Sequence, residues 1–367
     1  MQNSLAMKVL YDDQIFTTQK FGGISRYFVE LIKHLPPDIE WEESVRISRN
    51  VYLKGDKFLF PNLASLGPLN NISLIRKSAN RFSSKSKEIK GDYDILHPTY
   101  YGPSFLKYNQ KPYVLTVHDM IHELFPQYFS HDRIIEDKLK TIRNATRIIA
   151  VSQNTKDDLV KILNINPDII DVVWHGHSVS MAAAEEIPNL PERYVLFTGQ
   201  RGAYKNFDRL AKAFAIAREK DKSLHLICTG KPLKKGEIQM LRDLKIADVV
   251  HHYFATDGQL TYLYNHALCF VFPSCYEGFG IPILEAFAAE TPLLLSDTSC
   301  FPEIAAEAGY YFNPEDEQSM AKAISEVCAD PVLRANLIEK GTRRLQTFSW
   351  QKMAQETADV YRKITFP

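Results

Sequence analysis

The chain has 367 residues, 45% apolar and 24% charged, a composition that marks a folded protein too long for one hydrophobic core. Lys plus Arg and Asp plus Glu both number 44, so no net field draws a polyanion to the whole surface, and nucleic acid is not an expected partner. Five cysteines without CxxC or Cys/His spacing argue against a disulfide framework or zinc site, and no stretch reaches the roughly 20 apolar residues of a membrane span. The opening MQNSLAMKVL lacks the apolar core of a signal peptide, so a cytoplasmic protein whose fold starts near Met7 is expected.

Short β-rich apolar runs alternate with helical patterns, which reads as parallel strands joined by crossover helices. In the first half the runs are KVLYD at 8–12, YDILHPT at 93–99, YVLTVHD at 113–119, TRIIAVS at 146–152 and IDVVWHG at 170–176. Each ends in polar or Gly-bearing residues, and in an open α/β sheet the ligand crevice lies outside those carboxyl ends. Residues 178–193, carrying Pro188 and Pro191, break the pattern and read as an interdomain linker. A second series follows: YVLFTG at 194–199, LHLICTG at 224–230, DVVHHY at 248–253, CFVFPS at 269–274 and PLLLSD at 292–297. The last stretch, from Phe348 onward, offers Ser349 as an N-cap and apolar residues at helical spacing, a closing helix. Expected domains are therefore 1–177, a linker at 178–193, 194–347, and a helix at 348–367 that packs back toward the N-terminal domain.

The segment FPSCYEGFGIPILEAFAAETP at 272–292 is the most informative for chemistry. A strand ending at Ser274 leads into a Gly278-Phe279-Gly280 turn, with Pro282 placed as the first helical residue. Free backbone N–H groups at such a start favour anions and hydroxyl oxygens, and the glycines let a ligand approach the main chain. Glu277 and Glu285 frame the turn with seven residues between them, and carboxylates accept hydrogen bonds from vicinal hydroxyls. TGQRGAYKNFDRLAKAF at 198–214 places Arg201 and Lys205 where a helix should start, a cradle for pyrophosphate. The structural alternatives are a solvated loop with a surface Glu, and a pair of solvated cations.

With these segments in view the sequence resembles glycosyltransferase family four, nucleotide-sugar enzymes of the GT-B group, over nearly its whole length. EGFGIPILEA matches that family's E-x7-E motif, Arg201 and Lys205 its phosphate-binding pair, and FGGISRY at 21–27 its N-terminal Gly-rich loop. LHP at 96–98, TVHD at 116–119, IIAVSQNTKDDL at 148–159 and FSW at 348–350 also resemble family positions. The implied fold is α/β in GT-B form, two Rossmann-like doubly wound domains facing across a cleft, the first for acceptor and the second for nucleotide sugar. The resemblance implies that Glu285 bonds the donor ribose and that Glu277, with the backbone of Phe279, Gly280 and Ile281, holds the hexose. Arg201 and Lys205 would bind the pyrophosphate, and the Gly22-Gly23 loop would bring a backbone N–H to it. His118 would lie by the sugar near the acceptor, with Asp119 beside it.

Two departures stand out: the phosphate segment GQRGAYKN resembles a variant of a polysaccharide-building subgroup rich in mannosyltransferases, and His175-Gly176 stands where the family often has Asn-Gly. The resemblance implies a retaining hexosyl transfer, with mannose from GDP-mannose favoured, to a glycan or lipid-linked glycan. No cofactor is implied beyond the nucleotide diphosphate sugar as donor substrate. No residue reads as a nucleophile with an adjacent base, so a front-face route is expected, in which the leaving phosphate takes the acceptor proton. No metal is expected: Asp92-Tyr93-Asp94 spells the Asp-x-Asp of a metal-dependent transferase but reads as a strand entrance. G-x-G-x-x-G after a strand, which a dehydrogenase needs, is missing. A nucleotide-sugar epimerase and a catalytically silent sugar-nucleotide-binding subunit are the competing readings. The basic stretch 70–90, with Arg76, Lys77, Arg81, Lys85, Lys87 and Lys90 against an apolar side of Ile72, Leu74, Ile75, Ala79 and Phe82, suggests peripheral contact with an anionic inner membrane face; a solvated helix is the alternative.

Overall fold

The computed structural model describes residues 7–55, 72–129, 133–177 and 183–365. These fall into two units, one running to Gly176 and resuming at Ser349, the other from His177 to Phe348.

In the first unit six strands, β1 Met7–Tyr11, β2 Ile39–Glu43, β3 Ile95–His97, β4 Val114–Val117, β5 Arg147–Ala150 and β6 Ile170–Val172, form two parallel triplets ordered β2-β1-β3 and β4-β5-β6. A parallel bridge between Leu96 and Tyr113 joins them. Strands buried on both faces read as continuous apolar runs, which is why KVLY and VLTV were legible. IEWEE at β2 was not, because its acids mask the pattern; Glu42 is paired with Lys8 at 2.9 Å and Lys87 at 2.7 Å. The strands are shorter than their apolar runs because flanking polar residues leave the ladder for side-chain partners. Thr99, two residues past β3, donates its N–H to Asp12 at 2.8 Å.

The helix Trp350–Thr365 belongs to this unit and buries Trp350, Met353, Ala354, Ala358, Val360 and Tyr361 in its core with the helix Gly23–His34. Ser349 Oγ accepts the N–H of Lys352 at 3.1 Å, closing the first turn. Tyr361 OH meets Tyr11 OH at 2.9 Å and His97 Nδ1 at 2.6 Å. His175-Gly176 packs here as well: a Cβ on Gly176 would stand 2.3 Å from Trp350 N, so only glycine lets the chain pass.

The helix Ser73–Lys90 turns the usual amphipathic logic round. Its inward face is polar: Asn80 Oδ1 accepts the N–H groups of Arg46 at 2.8 Å and Ile47 at 2.9 Å, and Ser84 bonds Ser44 and Asp13. Its outward side mixes apolar and basic residues: Leu74 and Phe82 are about three-quarters exposed at 74% and 76%, Ile75 and Ile89 are exposed beside them, and so are Lys77, Arg81 and Lys85. No helix among the described residues is long and apolar enough to cross a membrane.

The second unit holds one parallel sheet ordered β12-β11-β10-β7-β8-β9: β7 Tyr194–Phe197, β8 His225–Thr229, β9 Val250–Tyr253, β10 Cys269–Phe272, β11 Leu293–Ser296 and β12 Gly309–Phe312. β12, a short edge strand of sequence GYYF, was not anticipated. The order reverses between β7 and β10, the switch point where doubly wound folds bind nucleotides. Residues 178–182 of the expected linker lie outside the described residues. Residues 183–193 pack on the second unit: Glu185 N bonds Gly258 O at 3.1 Å, its carboxylate accepts Thr256 Oγ1 at 2.7 Å, and Ile187 is buried.

Candidate active site

The loops after β7 and β10 meet at the switch point of the second unit. Cys275 N bonds Tyr204 O at 2.7 Å, and the buried Asn206 amide donates to Pro273 O at 3.1 Å and Pro314 O at 2.8 Å. These ties fix the short 3-10 turn Ala203–Lys205 against the end of β10. The following helix, Phe207–Lys220, starts after Arg201 and Lys205, so both cations lie in the approach to a helix and not in its first turn.

Lys205 Nζ sits 2.5 Å from Glu277 Oε1, and both side chains are largely buried. The pair joins the residue assigned to phosphate with the residue assigned to hexose. Arg201 is held by the protein itself. Its guanidinium is buried, reaches Glu237 at 3.3 Å, and donates to the carbonyls of Thr229 at 3.3 Å, Pro232 at 2.9 Å and Lys231. It holds the loop after β8 in shape while leaving its positive charge at the strand ends.

The second loop follows the expected pattern with two shifts of register. β10 ends at Phe272, not Ser274, and Pro282 is the second helical residue, Ile281 the first, behind an N-cap at Gly280. Gly280 has φ of 84°, the left-handed region that glycine enters without strain. Phe279 is buried at this turn, its ring 6.0 Å from that of Phe348. Glu285, on the first turns of the Ile281–Ala288 helix, meets Tyr264 OH at 3.5 Å, so the two glutamates are held by different partners. Ser299, in the left-handed region, clamps the Glu277 backbone by accepting its N–H at 3.1 Å and donating to its carbonyl at 2.6 Å. Asn206, Ser299, Tyr264 and Glu237 were missed because each acts through a partner distant in sequence; of these only Asn206, before an apolar helical pattern, carried a local signal.

In the first unit Gly22 is the N-cap and Gly23 the first residue of the helix Gly23–His34. A Cβ on Gly22 would meet the Gln19 carboxamide at 2.6 Å; that carboxamide also accepts the N–H of Ser25. His118 follows β4, its backbone N–H bonded to Tyr101 OH at 3.0 Å and its ring edge-on to Tyr27 at 5.2 Å. Its Nε2 is shielded and without a hydrogen-bond partner among the described residues. Burial, with His175, His97 and Lys138 nearby, pushes its pKa well below the ordinary histidine range, so the ring is neutral at pH 7. Asp119 turns one oxygen back to cap Ile121 N at 3.1 Å, and its carbonyl accepts buried Lys138 at 2.5 Å, a turn-building role that sequence reading did not anticipate. Asp92 and Asp94 are strand-entrance residues: Asp92 is exposed beside Lys90 at 3.2 Å, and Asp94 accepts Lys8 N at 2.8 Å.

Two doubly wound units, one of them with a cation–carboxylate pair and a glycine-led helix start at its switch point, are the GT-B architecture. The comparisons agree: the family model for glycosyl transferases group 1 matches residues 182–344, and that for Glycosyltransferase Family 4 matches residues 21–180. In tandem the two models make the chain similar to glycosyltransferases of family 4 over most of its length. It is 25% identical to O-antigen chain mannosyltransferase B of Escherichia coli, over 93% of this chain and 96% of that protein. It is 26% identical to the MMP alpha-(1->4)-mannosyltransferase of Mycolicibacterium hassiacum, over 75% and 71% of the two chains. Among solved structures, sucrose-phosphate synthase from Thermosynechococcus elongatus superposes with a TM-score of 0.73 at 19% identity, covering 98% of this chain and 99% of that one. The Anabaena HepE protein, in complex with UDP and glucose, gives 0.72 at 17%, covering 97% and 99%.

Proposed function

We propose that the chain transfers a hexose, with mannose from GDP-mannose the favoured donor, to a hydroxyl of a glycan or lipid-linked glycan, with retention and without a metal. The observation that carries this reading is the Lys205–Glu277 pair at the switch point, beside the helix that Gly280 opens. A nucleotide sugar offers each partner a better match: the diphosphate takes Lys205, and the hexose hydroxyls take Glu277. The pair holds both side chains in place before the donor arrives, which lowers the ordering cost of binding. Glu285 receives the ribose hydroxyls, and the N–H groups at Phe279, Gly280 and Ile281 point at the sugar. As the glycosidic bond breaks, negative charge grows on the diphosphate, where Lys205, the Arg201 charge and the helix start stabilise it. A leaving phosphate oxygen then takes the acceptor proton on the same face, and the new bond keeps the anomeric configuration. Curated relatives named as mannosyltransferases support mannose as the hexose.

The acceptor side includes peripheral contact with an anionic membrane through the Ser73–Lys90 helix. Leu74, Ile75, Phe82 and Ile89 are exposed on it beside Lys77, Arg81 and Lys85, and an anionic bilayer complements both features. A thermal-shift panel tests the donor: GDP-mannose should raise the unfolding midpoint by mass action while UDP-glucose and UDP-N-acetylglucosamine leave it in place. A shift with a UDP sugar alone would overturn the donor assignment.

A further inference from the structure

Lys138 is a charge wholly enclosed in the first unit. It stands on the helix Ile134–Arg143, which turns Lys138, Thr141 and Ile142 inward and leaves Leu139 partly exposed. No part of its side chain is exposed, and lysine is almost never so buried unless it is paired. Its partner is Glu123 at 2.9 Å, on the short helix Ile121–Leu124, with only 5% of that side chain exposed.

Stability does not account for the pair. Taking two charges out of water costs about as much as their attraction returns, and apolar side chains of similar volume often serve a fold as well or better. Glu123 Oε1, moreover, is buried without a hydrogen-bond partner among the described residues. What the pair supplies is a fixed turn. The Lys138 ammonium donates to the carbonyl of Asp119 at 2.5 Å and lies 5.3 Å from the centre of the Tyr101 ring. Tyr101, itself buried, takes the N–H of His118 on its hydroxyl at 3.0 Å. The backbone is thus held on both sides of the His118 ring, at its own N–H by Tyr101 and one residue further on by Lys138. The ring these holds keep in place has its Nε2 buried and unpartnered among the described residues.

We infer that Lys138 and Tyr101 are positioning residues of the transfer reaction, which fix the His118–Asp119 turn after β4 so that the His118 ring meets the reacting sugar in one orientation. A displacement of about 1 Å at such a group can cost roughly a hundredfold in rate, which gives a buried charge that only holds a carbonyl its purpose. The reaction that His118 serves rests on the transfer proposed above; the holding of the turn does not.

The test compares the full wild-type chain with two variants: Lys138→Met combined with Glu123→Leu, in which both charges leave together, and Tyr101→Phe, which loses only the hydroxyl. Hydrogen exchange followed by mass spectrometry reads the turn, and transfer from GDP-mannose to a mannoside reads the reaction. The double variant should unfold at or above the wild-type midpoint and exchange faster over residues 118–124 while β4 stays protected. Its kcat should fall roughly tenfold to a hundredfold with KM for GDP-mannose unchanged. Tyr101→Phe should show the same pattern to a smaller degree, and it decides the matter if the double variant does not fold. Wild-type exchange over residues 118–124, wild-type kcat in variants whose turn exchanges faster, or a kcat that falls only in step with the folded fraction would overturn the proposal. A wild type that turns over no nucleotide sugar removes the transfer reading; faster exchange in the variants then still establishes the hold on the turn, and unaltered exchange removes that as well.

Discussion

Lys205 and Glu277 stand 2.5 Å apart, so neither can be removed without exposing the other. Each single alanine variant should lower turnover more than tenfold, because both act on charge or hydroxyls engaged in the transition state. The double variant should lose less than the product of the two single losses, the sign of two groups acting as one unit. Purely multiplicative losses would separate their roles. Arg201→Ala should also unfold more easily, by about 1–3 kcal/mol, since it leaves three carbonyls and Glu237 without their donor. Denaturant titration checks this, and an unchanged midpoint would contradict it.

His97 and His175, buried in the first unit, have pKa values lowered to about 3 by burial. Unfolding frees each to take a proton near the ordinary value of about 6.5. Their stabilising contribution is therefore complete above that pH and is lost as pH falls toward 3. Replacing His97 with Gln should flatten the loss of stability between pH 6.5 and 4, measured as slope rather than absolute midpoint. Equal slopes would mean that His97 is not buried neutral. What spacing alone revealed at this scale was the pair Glu277 and Glu285, the glycine turn and the two cations. Ser299 and Tyr264 stayed hidden because their roles come from contacts over long sequence separations.

Among elements, apolar runs located ten of the twelve strands that the described residues form, and the two missed were the acidic β2 and the short edge strand β12. The helix Ser73–Lys90 shows where periodicity falls short: it marks an apolar side without saying which way that side points. Asn80, Ser83 and Ser84 are buried by side-chain hydrogen bonds to the segments after β1 and β2, which leaves Phe82 and Leu74 outward. Co-sedimentation should therefore find salt-sensitive binding to vesicles containing phosphatidylglycerol and little to phosphatidylcholine alone. Replacing Leu74 and Phe82 with Ser should weaken it at constant charge, and so should exchanging Lys77, Arg81 and Lys85 for Gln. Absence of binding at low salt would leave a soluble acceptor as the substrate.

For the whole molecule, the tandem of doubly wound units was legible because β–α alternation repeats on either side of a proline-bearing break. The return of the last helix to the first unit was suggested by FSW and takes physical form in Trp350, Met353 and Tyr361, which join the core of β1 and β5. Proton NMR of the reaction tests the proposed activity most directly. GDP-mannose is incubated with the full chain and a mannoside acceptor, and the anomeric signals of donor and product are followed together with GDP release. The expected result is consumption of the α-linked donor, release of GDP, and a product whose new linkage is α from its first appearance, with Lys205→Ala slowing all three. A β-linked product, or conversion of the donor to an epimeric nucleotide sugar without acceptor, would contradict it.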